Sequence, residues 1–92
     1  MPDAATVESA VFEILKDVSR RPIEPTLTSD LVADLGFDSL QMLEIIAELE
    51  GRFDISIAPD EVAGTRTVAE IVSRIAGLVD ARPSHDRPPH AS

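Results

Sequence analysis

Residues 34–40 mark a change from loop to helix and read Asp34-Leu35-Gly36-Phe37-Asp38-Ser39-Leu40. Gly36 can adopt backbone angles that residues with a Cβ avoid, so it suits the end of a loop. The periodic apolar pattern that follows predicts a helix with Asp38 as N-cap and Ser39 as first residue. Gln41, three positions after Asp38, would complete a capping box. The Ser39 hydroxyl would then lie at the positive end of the helix dipole, where a phosphate is favourably held.

Size and composition predict one small domain without export or membrane signals. The chain has 92 residues and no cysteine, so it can form neither disulfides nor thiolate metal sites. Its N-terminus lacks the basic and then apolar layout of a signal peptide, and no apolar run approaches the roughly 20 residues that span a bilayer. We therefore expect a cytoplasmic protein that does not insert into membranes.

The negative charge is concentrated around Ser39. The formal net charge is −9, and ten acids stand against Arg52 alone between Glu24 and Glu61, whereas the rest of the chain is balanced. Such a field repels nucleic acid and steers basic protein surfaces towards this segment. An acidic face that only maintains solubility is the alternative. The ten acids are Glu24, Asp30, Asp34, Asp38, Glu44, Glu48, Glu50, Asp54, Asp60 and Glu61.

The first helix is predicted over Thr6–Ser19, with Asp3 or Thr6 as its cap, and a long loop follows to about Phe37. Prolines after the helix end the pattern, and a loop of this length is often functional. Within it, residues 29–33 would form one turn. The predicted helix face consists of Val7, Ala10, Val11, Ile14, Leu15 and Val18, and the residues expected to pin the loop are Leu27, Leu31 and Leu35.

The second helix, from Asp38 to about Arg52 with Gly51 near its end, carries two apolar stripes. One stripe is as wide as a core-facing surface, whereas the other lies nearly opposite and is bordered by acids. The second stripe is typical of a docking surface, although small domains also expose scattered leucines. The core stripe is Met42, Ile45, Ile46, Leu49 and Phe53; the opposite stripe is Leu40, Leu43 and Ala47, flanked by Glu44 and Glu48.

The C-terminal half predicts an extended connector, a short helix, a last helix and a tail. Ile55 and Ile57 should pack inward from residues 54–57, and residues 58–63 should form a short helix. Thr67-Val68-Ala69-Glu70 is a capping box for the last helix. The proline-rich residues 82–92 cannot form a core, so the domain should span residues 1–81 with a disordered tail. The last helix should bury Val68, Ile71, Val72, Ile75, Leu78 and Val79.

These elements predict an all-α fold, a four-helix bundle of three main helices and one short helix, with a long loop between the first two helices. Catalysis by Ser39 is not expected, because both histidines, His85 and His90, lie in the tail, and the second glycine of a nucleophile elbow is missing. Asp30, Asp34 and Asp38 do not follow the ligand order of a calcium loop and are better explained as caps and surface charge. No metal site is predicted.

The sequence resembles the phosphopantetheine-attachment signature of the acyl carrier protein family. The likeness rests on residues 34–40, Glu44, Phe53-Asp54-Ile55 and Thr67-Val68, and it extends over residues 7–79. It implies a carrier rather than an enzyme. A phosphopantetheinyl transferase would attach 4'-phosphopantetheine from coenzyme A covalently to Ser39, with Asp38 helping to position the serine. The terminal thiol would carry acyl groups as thioesters, and the core would open to shelter the acyl chain.

The resemblance also implies a surface for acyl-transferring and acyl-modifying enzymes whose docking faces are basic, and we expect the carrier to be a monomer. Gln41, where many fatty-acid carriers have an acid, and Gly51-Arg52 leave room for polyketide, aminoacyl or peptidyl, and specialised lipid pathways beside fatty-acid synthesis. The rival hypothesis is an unmodified helical module that binds a protein. The expected partner face comprises Leu40, Leu43, Glu44, Ala47 and Glu48, with Asp60, Glu61 and Val62 as its second edge.

Overall fold

The computed structural model describes residues 4–58, 60 and 64–81 of the chain. It is all-helical: α1 spans Ala4–Val18, α2 spans Ser39–Phe53 and α3 spans Val68–Ala81. Within these described residues, extended pairing is limited to an isolated antiparallel bridge between Asp30 and Thr67. The all-α prediction is confirmed. Most of the predicted short helix at 58–63, the candidate cap Asp3 and the predicted tail at 82–92 lie outside the described residues.

Helix α1 packs one apolar face against α2 and α3. It begins at Ala4, two residues before the predicted start at Thr6, and ends at Val18. Five residues of the predicted face are buried, while Val18 and the unpredicted Phe12 are half-buried against the same core. The buried five are Val7, Ala10, Val11, Ile14 and Leu15.

Helix α2 continues two residues beyond Gly51, because the chain leaves the helix only at Asp54. Asp54 has the left-handed angles φ 55° and ψ 53°, and its N–H donates to the Glu50 carbonyl, which closes the last turn. Gly51 faces open space and does not end the helix. The core stripe is confirmed for Ile45, Leu49 and Phe53, which are buried, whereas Met42 and Ile46 are only half-buried against that core.

The capping box predicted at the start of α3 is present. The Glu70 N–H donates to Thr67 Oγ1 at 3.3 Å, and the Thr67 N–H donates to Glu70 Oε1 at 3.1 Å. The buried face of α3 follows the predicted spacing, with Val72 and Leu78 half-buried at its edges. Its buried residues are Val68, Ile71, Ile75 and Val79.

The long loop between α1 and α2 is bonded to the start of α3. The carbonyls of Ser29 and Leu27 accept the N–H groups of Val68 and Ala69 at 3.1 and 2.9 Å. These first-turn N–H groups have no partner inside their own helix, so the loop supplies the acceptors that α3 lacks. The Leu31 N–H in turn donates to the Arg66 carbonyl at 2.8 Å.

The side chains that pin this loop differ from the predicted set by one residue. Leu31 and Leu35 are buried as expected, but Leu27 is 39 % exposed, so its prediction as a core anchor is wrong. Leu27 instead holds the loop through its backbone carbonyl, which accepts the Ala69 N–H. Phe37, only 2 % exposed, is the third apolar anchor.

The connector after α2 packs inward as predicted. Ile57 is buried and Ile55 is half-buried against the core. The Ile57 N–H donates to Glu50 Oε2 at 2.8 Å, so a carboxylate of α2 satisfies a backbone donor that a sheet would otherwise pair.

Candidate functional site

The turn that leads into α2 is built around Gly36 and Phe37. Gly36 has φ +74°, and a Cβ at this position would lie 2.9 Å from Arg21 Nη2, so both the backbone angle and the available space favour glycine. The Phe37 N–H donates to the Leu31 carbonyl at 3.0 Å while its ring is buried. Because Phe37 enters the core, the next two residues emerge at the surface.

Asp38 and Gln41 form the predicted capping box. The Gln41 N–H donates to Asp38 Oδ1 at 2.8 Å, and the Asp38 N–H donates to Gln41 Oε1 at 3.2 Å. A helix start has four N–H groups without an intrahelical acceptor, and the box satisfies two of them. The N–H groups of Ser39 and Leu40 remain at the helix tip.

Ser39 is the first residue of α2 and is exposed. Its hydroxyl therefore lies at the helix end where the backbone dipole is positive. An anion joined to this hydroxyl would face the two remaining N–H groups, while the neighbouring Asp38 carboxylate is engaged in the capping box. The residues at this tip thus fit the phosphate of a phosphopantetheine group.

Gln41 has a second role that the sequence did not predict. It is 7 % exposed, the single polar residue among the buried side chains that the structure describes. Its Nε2 lies 3.5 Å from the carbonyl oxygen of Val18, the last residue of α1. The sequence signal for the burial of Gln41 was its spacing, because positions 41, 45, 49 and 53 follow one another along the buried face of α2.

Arg21 is the cation beside this turn, although it is remote in sequence. Its Nη2 donates to the Leu35 carbonyl at 3.4 Å. Arg52, the single base of the acidic segment, instead pairs with Glu13 of α1 at 3.3 Å. The charge count from Glu24 to Glu61 therefore missed Arg21, a base that contacts the Gly36 turn.

The predicted partner face lies on the surface of α2. Leu40 and Leu43 are 57 % and 56 % exposed, and Ala47 is exposed on the same side of the helix. Glu44 and Glu48 are also exposed, so acids border the apolar strip. Asp60 is exposed, whereas Glu61 and Val62 lie outside the described residues.

The aspartates of the loop serve as caps, as predicted. Asp30 Oδ1 accepts the N–H groups of Ala33 and Val32 at 2.8 and 2.9 Å, and these bonds hold the pKa of Asp30 below its ordinary value. Asp34 Oδ2 accepts the Asp30 N–H at 2.7 Å. Across the described ranges, no three side chains of the His, Cys, Asp and Glu types cluster closely enough to hold a metal ion.

Comparison with known proteins decides the family. Residues 9–75 match the family model described as a phosphopantetheine attachment site. The meromycolate extension acyl carrier protein of Mycolicibacterium smegmatis is 36% identical over 84 residues, which are 87% of this chain and 85% of the relative. The chain belongs to the acyl carrier protein family. Carriers of this family hold acyl intermediates for other enzymes and are not themselves catalysts.

The fold of this acyl carrier protein is similar to that of solved acyl carrier protein structures. A candidate acyl carrier protein from Mycobacterium tuberculosis has a TM-score of 0.72 and 34% identity, over 77% of this chain and 96% of the other. The 3,7-dioxo-octyl actinorhodin acyl carrier protein from Streptomyces coelicolor has a TM-score of 0.62 and 25% identity, over 85% and 91%. None of the carrier's helices in the described part of the chain has the length and apolar character needed to cross a bilayer.

The core of the carrier is closed. The buried apolar side chains of α1, α2 and α3 are between 0 % and 5 % exposed. An acyl chain can enter between the helices only if these side chains separate, because a packed interior holds few voids.

Proposed function

We propose that the hydroxyl of Ser39 is the attachment point for 4'-phosphopantetheine and that a phosphopantetheinyl transferase transfers the group from coenzyme A. The observation that carries this proposal is the exposed position of Ser39 at the tip of α2. Two N–H groups there have no acceptor inside the helix. The family match supplies the chemistry, since it indicates a phosphopantetheine attachment site within residues 9–75.

The proposed modification is a phosphoryl transfer from coenzyme A to Ser39. A bond forms between Ser39 Oγ and the phosphorus atom next to the pantetheine. The phosphoanhydride of coenzyme A breaks, so adenosine 3',5'-bisphosphate leaves and the serine proton passes to the transferase or to water. The chain contributes an accessible hydroxyl and a helix tip that favours the anionic product. When attached, the group supplies a thiol that this cysteine-free chain lacks, and acyl cargo is carried on it as a thioester.

The strip formed by Leu40, Leu43 and Ala47 is the proposed docking surface for enzymes that load or modify the cargo. Exposed leucines beside acids fit a partner whose face combines an apolar patch with basic side chains. Glu44 and Glu48 would attract those bases, and Asp60, Glu61 and Val62 would form the second edge. In this proposal the carrier domain covers residues 1–81 and acts as a cytoplasmic monomer.

The cargo is proposed to be an acyl intermediate of fatty-acid or polyketide type. One relative is named for meromycolate extension, and one solved neighbour is an actinorhodin carrier with a 3,7-dioxo-octyl group. An aminoacyl or peptidyl cargo is the alternative. The mass of the loaded carrier isolated from its native cell distinguishes these classes, because an amino acid adds nitrogen and a fatty acyl or polyketide group does not.

Intact-mass measurement tests the attachment. The purified chain is incubated with coenzyme A and a broad-specificity transferase, and the wild type should gain one phosphopantetheine. Ser39→Ala should gain none, whereas Ser56→Ala, at an exposed serine of the connector, should be modified like the wild type. An unmodified wild type would reject the carrier mechanism and favour the unmodified interaction module.

A further inference from the structure

The tip of α2 is held by two contacts that come from the end of α1 and the residues just after it. The first is the hydrogen bond from Gln41 Nε2 to the Val18 carbonyl, and the second is the hydrogen bond from Arg21 Nη2 to the Leu35 carbonyl. One fixes the first turn of the helix that carries Ser39. The other fixes the turn that precedes it.

The Gln41 contact depends on the amide group. Its oxygen accepts the Asp38 N–H at 3.2 Å, and its nitrogen donates to Val18, whose carbonyl lies in the last turn of α1 and lacks an intrahelical donor. A glutamate in the same place keeps the acceptor but loses the donor when ionised. The single side chain thus links the N-cap of α2 to the C-terminus of α1.

Arg21 is oriented by its own local structure. The Ser19 hydroxyl accepts the Arg21 N–H at 3.3 Å and donates to the Arg21 carbonyl, so the backbone at Arg21 is held in a turn. From this turn the guanidinium reaches Leu35 and lies against Gly36, where a Cβ would be 2.9 Å from Nη2. The planar guanidinium fills the space that the missing side chain leaves.

We propose that Arg21 and Gln41 are positioning residues for the modification of Ser39, and this inference rests on the proposed attachment there. Neither side chain belongs to the docking strip of Leu40, Leu43 and Ala47. Both act through the backbone, by fixing the direction in which the tip of α2 presents its hydroxyl to the transferase. Misplacement of a reacting group lowers the rate of the chemical step more than it weakens binding of the protein substrate.

Kinetics with the full chain as substrate separate this role from general charge effects. Arg21→Ala should lower kcat for phosphopantetheine transfer by about 3- to 10-fold, the range of one net hydrogen bond, with KM changed by less than about twofold. Arg20→Ala is the matched control, because it removes the same charge from an exposed neighbouring residue. It should leave kcat at the wild-type value.

Gln41→Glu gives a second test with a pH signature. Near neutral pH the ionised glutamate cannot donate to Val18, so kcat should fall by a similar factor. Near pH 5 a partly protonated glutamate regains an O–H donor, and the ratio of the variant's kcat to that of the wild type should rise. Because protonation of a glutamate at this buried position also restores fold stability, thermal melting is measured at both pH values. A recovery of kcat under conditions where both proteins are fully folded supports the positioning role, whereas a recovery that only follows the folded fraction contradicts it.

Amide resonances test the geometry without any enzyme. In ¹H–¹⁵N spectra of the unmodified chain, the Ser39 and Leu40 signals should shift in Arg21→Ala and Gln41→Glu but not in Arg20→Ala. Unchanged signals together with wild-type kcat in both variants would overturn the inference, as would an equal loss in Arg20→Ala. If the wild type itself is not modified, the attachment proposal fails, and the spectra alone decide whether the two contacts hold the helix tip.

Discussion

Charge reversal at Glu44 should impair modification far more than folding. Glu44 is exposed on α2, one turn before Glu48, so the two acids repel each other across an i,i+4 spacing. Glu44→Lys replaces this repulsion by attraction, and the free energy of unfolding should rise or fall by less than about 1 kcal/mol. The net charge changes from −9 to −7.

The effect on a basic partner is larger because each of its cations loses an attraction and gains a repulsion. In water, a cation about 8 Å from position 44 exchanges roughly 0.5 kcal/mol of attraction for the same amount of repulsion. Two such cations give a loss of about 2 kcal/mol, or about 30-fold in kcat/KM at low ionic strength. At about 0.15 M salt, screening should reduce the loss to a few-fold.

The assay measures kcat/KM for the transferase at several salt concentrations beside thermal melting. Asp80→Lys is the matched control, since it makes the same charge change at an exposed residue in the last turn of α3. It should reduce kcat/KM by less than about threefold. A loss in Glu44→Lys that does not depend on salt, or that is matched by Asp80→Lys, would refute docking through the acidic strip of α2.

Two further predictions concern stability. Leu49→Ala removes a core side chain that is 1 % exposed and should lower the free energy of unfolding in urea by about 2–5 kcal/mol. Leu40→Ala, at a position that is 57 % exposed, should change this free energy by less than about 0.5 kcal/mol but should lower kcat/KM for modification. Backbone N–H groups lower the pKa of two carboxylates: those of Arg66 and Thr67 act on Glu70, and those of Ala33 and Val32 act on Asp30. Because both pKa values are lower in the folded chain than in the unfolded chain, each carboxylate adds stability that is lost as the pH falls below about 5. The double variant Asp30→Asn, Glu70→Gln should show a smaller loss of urea midpoint between pH 7 and pH 3, and an unchanged loss would contradict this origin.

The three main helices were predictable because local and global signals agree in them. Apolar residues recur at helical spacing, and caps such as Thr67 mark the boundaries. Gly51 shows the limit of propensity, because packing of Phe53 into the core carries α2 past it. Leu27 was misplaced for a related reason. The sequence does not reveal that the backbone of a loop, rather than its side chain, will satisfy the first N–H groups of α3.

The part of the candidate site that is formed by residues close in sequence was predictable. Gly36, Asp38 and Ser39 lie within four positions of one another, so turn and capping rules apply to them directly. The contacts of Arg21 and Gln41 with Leu35 and Val18 join residues 14 and 23 positions apart. The first contact depends on how the two ends of the long loop meet, and the second depends on how α1 packs against α2. No single segment of sequence determines either arrangement.

The most direct test of the account is localisation of the modification. The wild-type chain is converted with coenzyme A and transferase, then digested, and the phosphopantetheine is assigned by fragment masses. We expect the group to be found on Ser39 alone. Its discovery on another serine, such as Ser29 in the loop or Ser56 in the connector, would contradict the assignment of the α2 tip as the attachment site.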